Sequence, residues 1–122
     1  MSDPSFVILY VGNPAASVAF YADLLGKQPA ESSPTFAMFA LESGVMLGLW
    51  AQETVKPAAT AVGGSELCFP VADAEAVRAL HTDWKARGLK IAQAPTDMDF
   101  GHTFVALDPD GHRLRVFAAR AS

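Results

Sequence analysis

A chain of 122 residues has the length of one domain, and at that size it buries roughly two-thirds of its unfolded surface without needing disulfides. Nine basic against thirteen acidic side chains leave a net charge of −4, which argues against nucleic acid as a default partner, since phosphate binding needs a basic surface. Hydrophobic residues make up 51% and charged residues 18%, an apolar surplus that points to a partner subunit, an apolar ligand cavity, or both.

Residues 6–11, Phe-Val-Ile-Leu-Tyr-Val, are rich in β-branched and aromatic side chains and predict a buried strand. Asn13 is a suitable N-cap and Pro14 suits the first helical position; the helix then runs to about Leu25, with Ala15, Val18, Ala19, Ala22 and Leu25 at helical spacing and Gly26 as its stop. After a Ser-Ser-Pro turn, residues 35–41 predict a second strand and residues 45–50 a third, joined through Gly44; residues 51–65 have the composition of a linker. Residues 66–71 predict a strand with Pro70 near its end. Asp73 caps a helix that reaches about Arg87, with Val77, Leu80 and Trp84 on one face, and Gly88 ends it. A short strand over 89–92, another over 103–107, the Asp108-Pro109-Asp110-Gly111 turn and a closing strand over 113–118 complete the chain.

Strand, capped helix, Gly stop and strands recur at an offset of roughly sixty residues, so the chain reads as two copies of one module. One sheet cannot bury its apolar face alone, which predicts an α+β fold of two paired βαβββ modules forming a curved, incomplete β-barrel. The expected organisation is a single domain over 1–122, with modules at about 4–50 and 66–119 and the linker between them.

Ala16-Ser17-Val18-Ala19-Phe20-Tyr21-Ala22-Asp23-Leu24-Leu25-Gly26 resembles the first-helix signature of the vicinal-oxygen-chelate superfamily, also called the glyoxalase, bleomycin-resistance and dioxygenase family. Phe104-Val105-Ala106-Leu107-Asp108-Pro109-Asp110-Gly111-His112-Arg113-Leu114 is similar to that family's closing strand–turn–strand. The resemblance implies paired βαβββ modules, a homodimer, and ligand cavities where modules meet. It also implies four inward positions that hold His and Glu metal ligands in the metal-dependent members. Carried over one at a time, these fall on Phe6, Gly48, Glu66 and Arg115, of which only Glu66 offers a donor suited to a cation. His81, His102 and His112 fall on a helix, at a strand start and in a turn. No metal site is therefore expected.

Period-2 alternation names the face those positions occupy. It holds Phe6, Ile8 and Tyr10 from the first strand, and Met46, Gly48 and Trp50 from the third. Glu66 and Cys68 face Arg113, Arg115 and Phe117 in the second module. With Phe36, Met38 and His102 added, this is the lining of a small-molecule pocket: aromatic, sulfur-bearing and small groups with a few polar handles. Gly48 is expected to leave room for a flat ligand near the backbone, Trp50 to stack on it, and Arg115 to meet a ligand carboxylate or phenolate. The stretches 35–41 and 44–50 look most similar to the phenazine-resistance type within the family, which binds an antibiotic without altering it.

Each of these residues also has a duller reading. Trp50 suits core or dimer packing, Phe6 and Met46 the core, and Glu66 with Arg115 a salt bridge. Cys68 suits an inert core thiol and His102 a solvent-facing position. The chain has no phosphate loop, CxxC or HExxH, and Ser17 lacks a nearby base, so no cofactor and no catalytic residue is expected. The expected function is metal-independent sequestration of a planar, largely apolar small molecule, such as an antibiotic, by a homodimer. Two alternatives stand beside it: a metal-dependent lyase or dioxygenase of the same superfamily, and an interaction module without a small ligand. A lone cysteine, apolar runs too short for a membrane and an N-terminus without a signal pattern make the expected location cytoplasmic.

Overall fold

The computed structural model describes Met1 and residues 3–120. The chain divides into two compact units, one reaching Val62 and the other starting at Gly63.

In the first unit, β1 (Phe6–Val11) leads into α1 (Pro14–Leu25), followed by β2 (Glu31–Ser32), β3 (Phe36–Ala40) and β4 (Met46–Ala51). The Asn13 side chain accepts the Ala16 N–H at 3.2 Å, and Gly26 closes the helix in the left-handed conformation at φ 67°, where a Cβ would be strained. The sheet runs β1-β4-β3-β2, with β1 parallel to β4 and the remaining pairs antiparallel. One face of this sheet packs on α1: Ala37, Phe39, Leu47, Leu49 and Ala51 are buried there with Val11, Tyr21 and Ser17. The buried line of α1 is thus Ser17 and Tyr21, one turn apart, whereas Ala15 and Ala19 are exposed. Of the expected stripe Val18, Ala22 and Leu25 are half-buried, and the line shifts from Ala15 and Ala19 toward Tyr21 because the larger side chain removes more apolar surface from water.

In the second unit, β5 (Glu66–Pro70) leads into α2 (Ala74–Ala86), then β6 (Lys90–Met98), β7 (Gly101–Leu107) and β8 (Arg113–Ala119). The Asp73 side chain accepts the Ala76 N–H at 2.8 Å. The sheet runs β5-β8-β7-β6, which repeats the first unit's topology strand for strand: the strand before the helix lies parallel to the last one. The core lies under α2, where Val77 and Trp84 meet Phe104, Ala106, Leu114, Val116 and Ala118. Trp84 meets Phe69 and Phe104 edge-on, with ring centroids 5.8 and 5.4 Å away. The α+β architecture of two βαβββ modules is the expected one.

Three elements differ from expectation. Strand β2 is two residues long and pairs Glu31 with Met38 and Ser32 with Ala37. Strand β6 runs six residues past Ala92; it is an edge strand, and its register shifts between Gln93 and Thr96, where Pro95 has no N–H to give the ladder. The segment after β4 opens with a 3₁₀ turn at Gln52–Thr54 and buries Val55, so the linker is anchored at its start. No helix among the described residues is long and apolar enough to cross a membrane.

Candidate functional site

The face of the first sheet turned away from α1 is set by register. Three rows of neighbours cross it: Tyr10–Trp50–Phe36, Ile8–Gly48–Met38–Glu31, and Phe6–Met46–Ala40. All eight residues expected here from the first module are therefore on one surface. Phe6, Ile8 and Tyr10 stand 40, 41 and 41% exposed, while Phe36, Met38, Met46 and Trp50 are half-buried. The four aromatic rings form a chain across three strands. Phe6 lies 6.4 Å from Phe36, Phe36 lies 6.5 Å from Trp50, and Trp50 lies 6.2 Å from Tyr10. Trp50 crosses both of its neighbours nearly at right angles, at 85° and 81°.

Gly48 does not leave open space above the backbone as expected. A Cβ built there would meet Phe6 Cε1 at 2.9 Å, Phe36 Cζ at 3.1 Å and Ile8 Cγ1 at 3.2 Å, so the glycine is buried beneath converging side chains. The missing side chain lets rings from two flanking strands approach over the central one. Phe6 and Met46 are likewise surface-facing residues of this sheet and not part of the core under α1.

In the second unit the corresponding face holds a polar centre. Arg115 donates from Nε to Glu66 Oε1 at 2.7 Å and from Nη2 to Glu66 Oε2 at 3.1 Å, a two-pronged ion pair. Its Nη1 donates to Thr103 Oγ1 at 3.2 Å and to Gln93 Oε1 at 3.4 Å. The guanidinium carbon sits 5.7 Å from the Phe100 ring centroid. Hydrogen bonding to Arg115 holds the Glu66 carboxyl below its ordinary value against partial desolvation, with the charges of Arg115 and Arg113 adding to the effect. Arg115 is thus already neutralised within its own unit, and a ligand carboxylate would have to compete with Glu66 for it.

Cys68 is exposed, not a core thiol, because it lies on the outward side of edge strand β5. Partial loss of hydration and then the Glu66 carboxylate push its thiol up, away from the thiolate a nucleophile needs. His102 lies within β7 and pairs with Ala118, one residue out of phase with Thr103 and Val105, which share the Arg115 face. It therefore belongs to the opposite, α2-side face. Its ring is half-buried, not solvent-facing, and its Nδ1 lies 2.7 Å from Asp97 Oδ1. It lines a cleft with Asp73, Ala74 and Arg120.

The four positions carried over for metal ligands do not fit a cation. Phe6 and Gly48 supply no donor, and the Glu66 carboxylate is taken by a guanidinium at hydrogen-bonding distance. Among the described residues, Asp108, Asp110 and His112 do bring ligand-type atoms within 4.8 Å of one another. Their visible work is to fold the turn: Asp108 Oδ1 accepts the N–H groups of Asp110 and His112, and Oδ2 meets His112 Nδ1 at 2.7 Å.

Sequence reasoning misses Glu31 and Gln93. Glu31 sits on a strand too short to show a period, and Gln93 lies just past the expected end of β6.

This fold, with its repeated modules and its aromatic and ion-paired sheet faces, defines a class. Residues 4–116 match the Glyoxalase/Bleomycin resistance protein/Dioxygenase superfamily, and the chain belongs to that superfamily. Among characterised relatives it is similar to the phenazine antibiotic resistance protein EhpR of Enterobacter agglomerans, at 28% identity over 116 residues, covering 93% of this chain and 89% of that one. Among solved structures, a protein of Agrobacterium tumefaciens determined by solution NMR is 51% identical, with a TM-score of 0.91 over 99% of this chain and 100% of that one. A glyoxalase/bleomycin resistance protein/dioxygenase family enzyme from Burkholderia phytofirmans PsJN is 26% identical, with a TM-score of 0.82 over 98% of this chain and all of that one.

Proposed function

We propose that the chain binds and sequesters a planar, largely apolar small molecule on the aromatic face of its first sheet, without a metal ion and without chemical change, as a cytoplasmic resistance-type protein. The observation that carries this reading is the chain of four rings, Phe6, Phe36, Trp50 and Tyr10, on a face whose outer strand stays about 40% exposed, while on the opposite face Ala37, Phe39, Leu47 and Leu49 of β3 and β4 are buried. Similarity to a phenazine resistance protein supports the ligand class. The poor fit of the carried-over ligand positions to a cation supports metal independence. Arg115 and Glu66 satisfy each other and serve as scaffold, not as a catalytic pair.

Edge strand β1 supports a homodimer, since it also exposes Val7, on the side opposite Phe6 and Ile8, at 38%. A monomeric mass by analytical ultracentrifugation would remove that part of the proposal.

The test of binding is a titration with phenazine, read by tryptophan quenching and by equilibrium dialysis. Trp50→Ala is expected to weaken binding about tenfold, through loss of stacking and of buried ring area. Wild-type affinity in the Trp50→Ala protein, or no binding by the wild type, would overturn the reading.

A further inference from the structure

Glu31 brings the one charge onto the aromatic face. Register places it in the row Ile8–Gly48–Met38–Glu31, so its side chain shares the surface of the rings. Every other residue of the three rows is uncharged: Phe6, Met46 and Ala40; Ile8, Gly48 and Met38; Tyr10, Trp50 and Phe36. Among the described residues no ion pair holds Glu31, and it is exposed. Lys27, the cation bound at the edge of this sheet, gives its ammonium to the Ala40 carbonyl at 3.0 Å. Glu31 is two strand spacings from Gly48, roughly 10 Å, which a three-ring molecule lying along that row would span.

Two physical effects act in the same direction on such a molecule. Aromatic faces carry partial negative charge and attract a cation placed over them. A carboxylate at the edge of the same surface adds attraction for positive charge and repels an anion, and the chain's net charge of −4 has the same sign. The cationic group that would suit a carboxylate ligand, Arg115, is committed to Glu66 in the other unit.

We propose, resting on the reading of this face as a ligand site, that it selects planar aromatic cations over neutral or anionic planar molecules of the same size, and that Glu31 is the residue that sets this preference. The ligand class is a fused aromatic ring system bearing an amino or ring-nitrogen positive charge at the end that lies over β2.

Equilibrium dialysis with three tricyclic probes at pH 7.5 tests it: 9-aminoacridine as the cation, phenazine as the neutral molecule and phenazine-1-carboxylate as the anion. The wild type is expected to hold 9-aminoacridine about tenfold more tightly than phenazine at low salt, and the carboxylate more weakly than either. In Glu31→Gln the ratio of cation to neutral affinity should fall about three- to fivefold, leaving the part that the ring faces supply, and Glu31→Lys should move the preference toward the carboxylate. Equal affinity for all three probes, or a cation preference that Glu31→Gln leaves undiminished, overturns the role of Glu31 and leaves the site standing. Failure of all three probes to bind overturns both the selectivity and the site.

Discussion

Arg115 reaches diagonally across a parallel strand pair to Glu66. Its Cα neighbour on β5 is Cys68, yet Nε and Nη2 grip Glu66, the residue two positions earlier, at 2.7 and 3.1 Å. The two side chains are only 15 and 28% exposed, so the pair is shielded beyond an ordinary surface bridge. Arg115→Met keeps the length of the stem but strands the Glu66 carboxylate and frees Thr103 Oγ1 and Gln93 Oε1. The expected loss is about 1–2 kcal/mol, with Glu66→Gln costing about half as much because one acceptor remains. The pH dependence has a definite sign. Glu66 titrates below its ordinary value of 4.5 in the folded chain, so the pair contributes fully above that pH and is lost as pH falls through the lower folded value. Urea midpoints between pH 3 and 7 measure this; equal acid sensitivity in wild type and Glu66→Gln would show that the pair adds nothing.

A second titration runs the other way. In the turn between β7 and β8, the hydrogen bond to Asp108 raises His112 above its ordinary value of 6.5, against partial burial and with the charges of Asp108 and Asp110 assisting. A raised folded value means a contribution that is complete below about pH 6.5 and disappears as pH rises through the folded value. His112→Gln should therefore lose more stability relative to wild type at pH 5.5 than at pH 8.5, by about 0.5–1.5 kcal/mol at the acidic end. Asp108 keeps its two backbone N–H bonds in the variant, so the turn survives. A wild-type-to-variant difference that is flat across this pH range would show that the imidazole does not hold the turn through its charge.

Local signals carry most of the fold in the sequence. Asn13 and Asp73 cap helices because their side chains find N–H groups three residues on, and the offset between the two copies follows from those caps. The Glu66–Arg115 pair is legible because strand parity alone puts both on one face. What spacing does not encode is the conformation of side chains from three strands at once. Phe6 and Phe36 lean over Gly48 because their own strands flank it, and no pattern within one strand reports that. Nor does a two-residue strand such as β2 have a period, so periodicity is blind to Glu31. His102 is misplaced by a strand boundary: with β7 starting at Gly101, alternation from Phe104 assigns it to the α2 side.

Gly48 is the residue on which the shape of the aromatic face depends. The atoms within 2.9–3.2 Å of a Cβ added there are Phe6 Cε1, Phe36 Cζ and Ile8 Cγ1, and the two closest belong to the outer parts of rings able to swing, while Ile8 must give by only a few tenths of an ångström. Gly48→Ala should therefore fold, and a β-strand gains from replacing a flexible glycine, so overall stability should change by less than about 1 kcal/mol in either direction. The rings cannot keep their places, however. Moving Phe36 disturbs its edge contact with Trp50, 6.5 Å away, and through it the order of the whole ring chain. Phenazine affinity in Gly48→Ala should fall about three- to tenfold with the thermal midpoint nearly constant. A fall in stability and affinity together would mean that the glycine serves only the fold. Unchanged affinity would mean that the ligand does not touch the rings that Gly48 brings together.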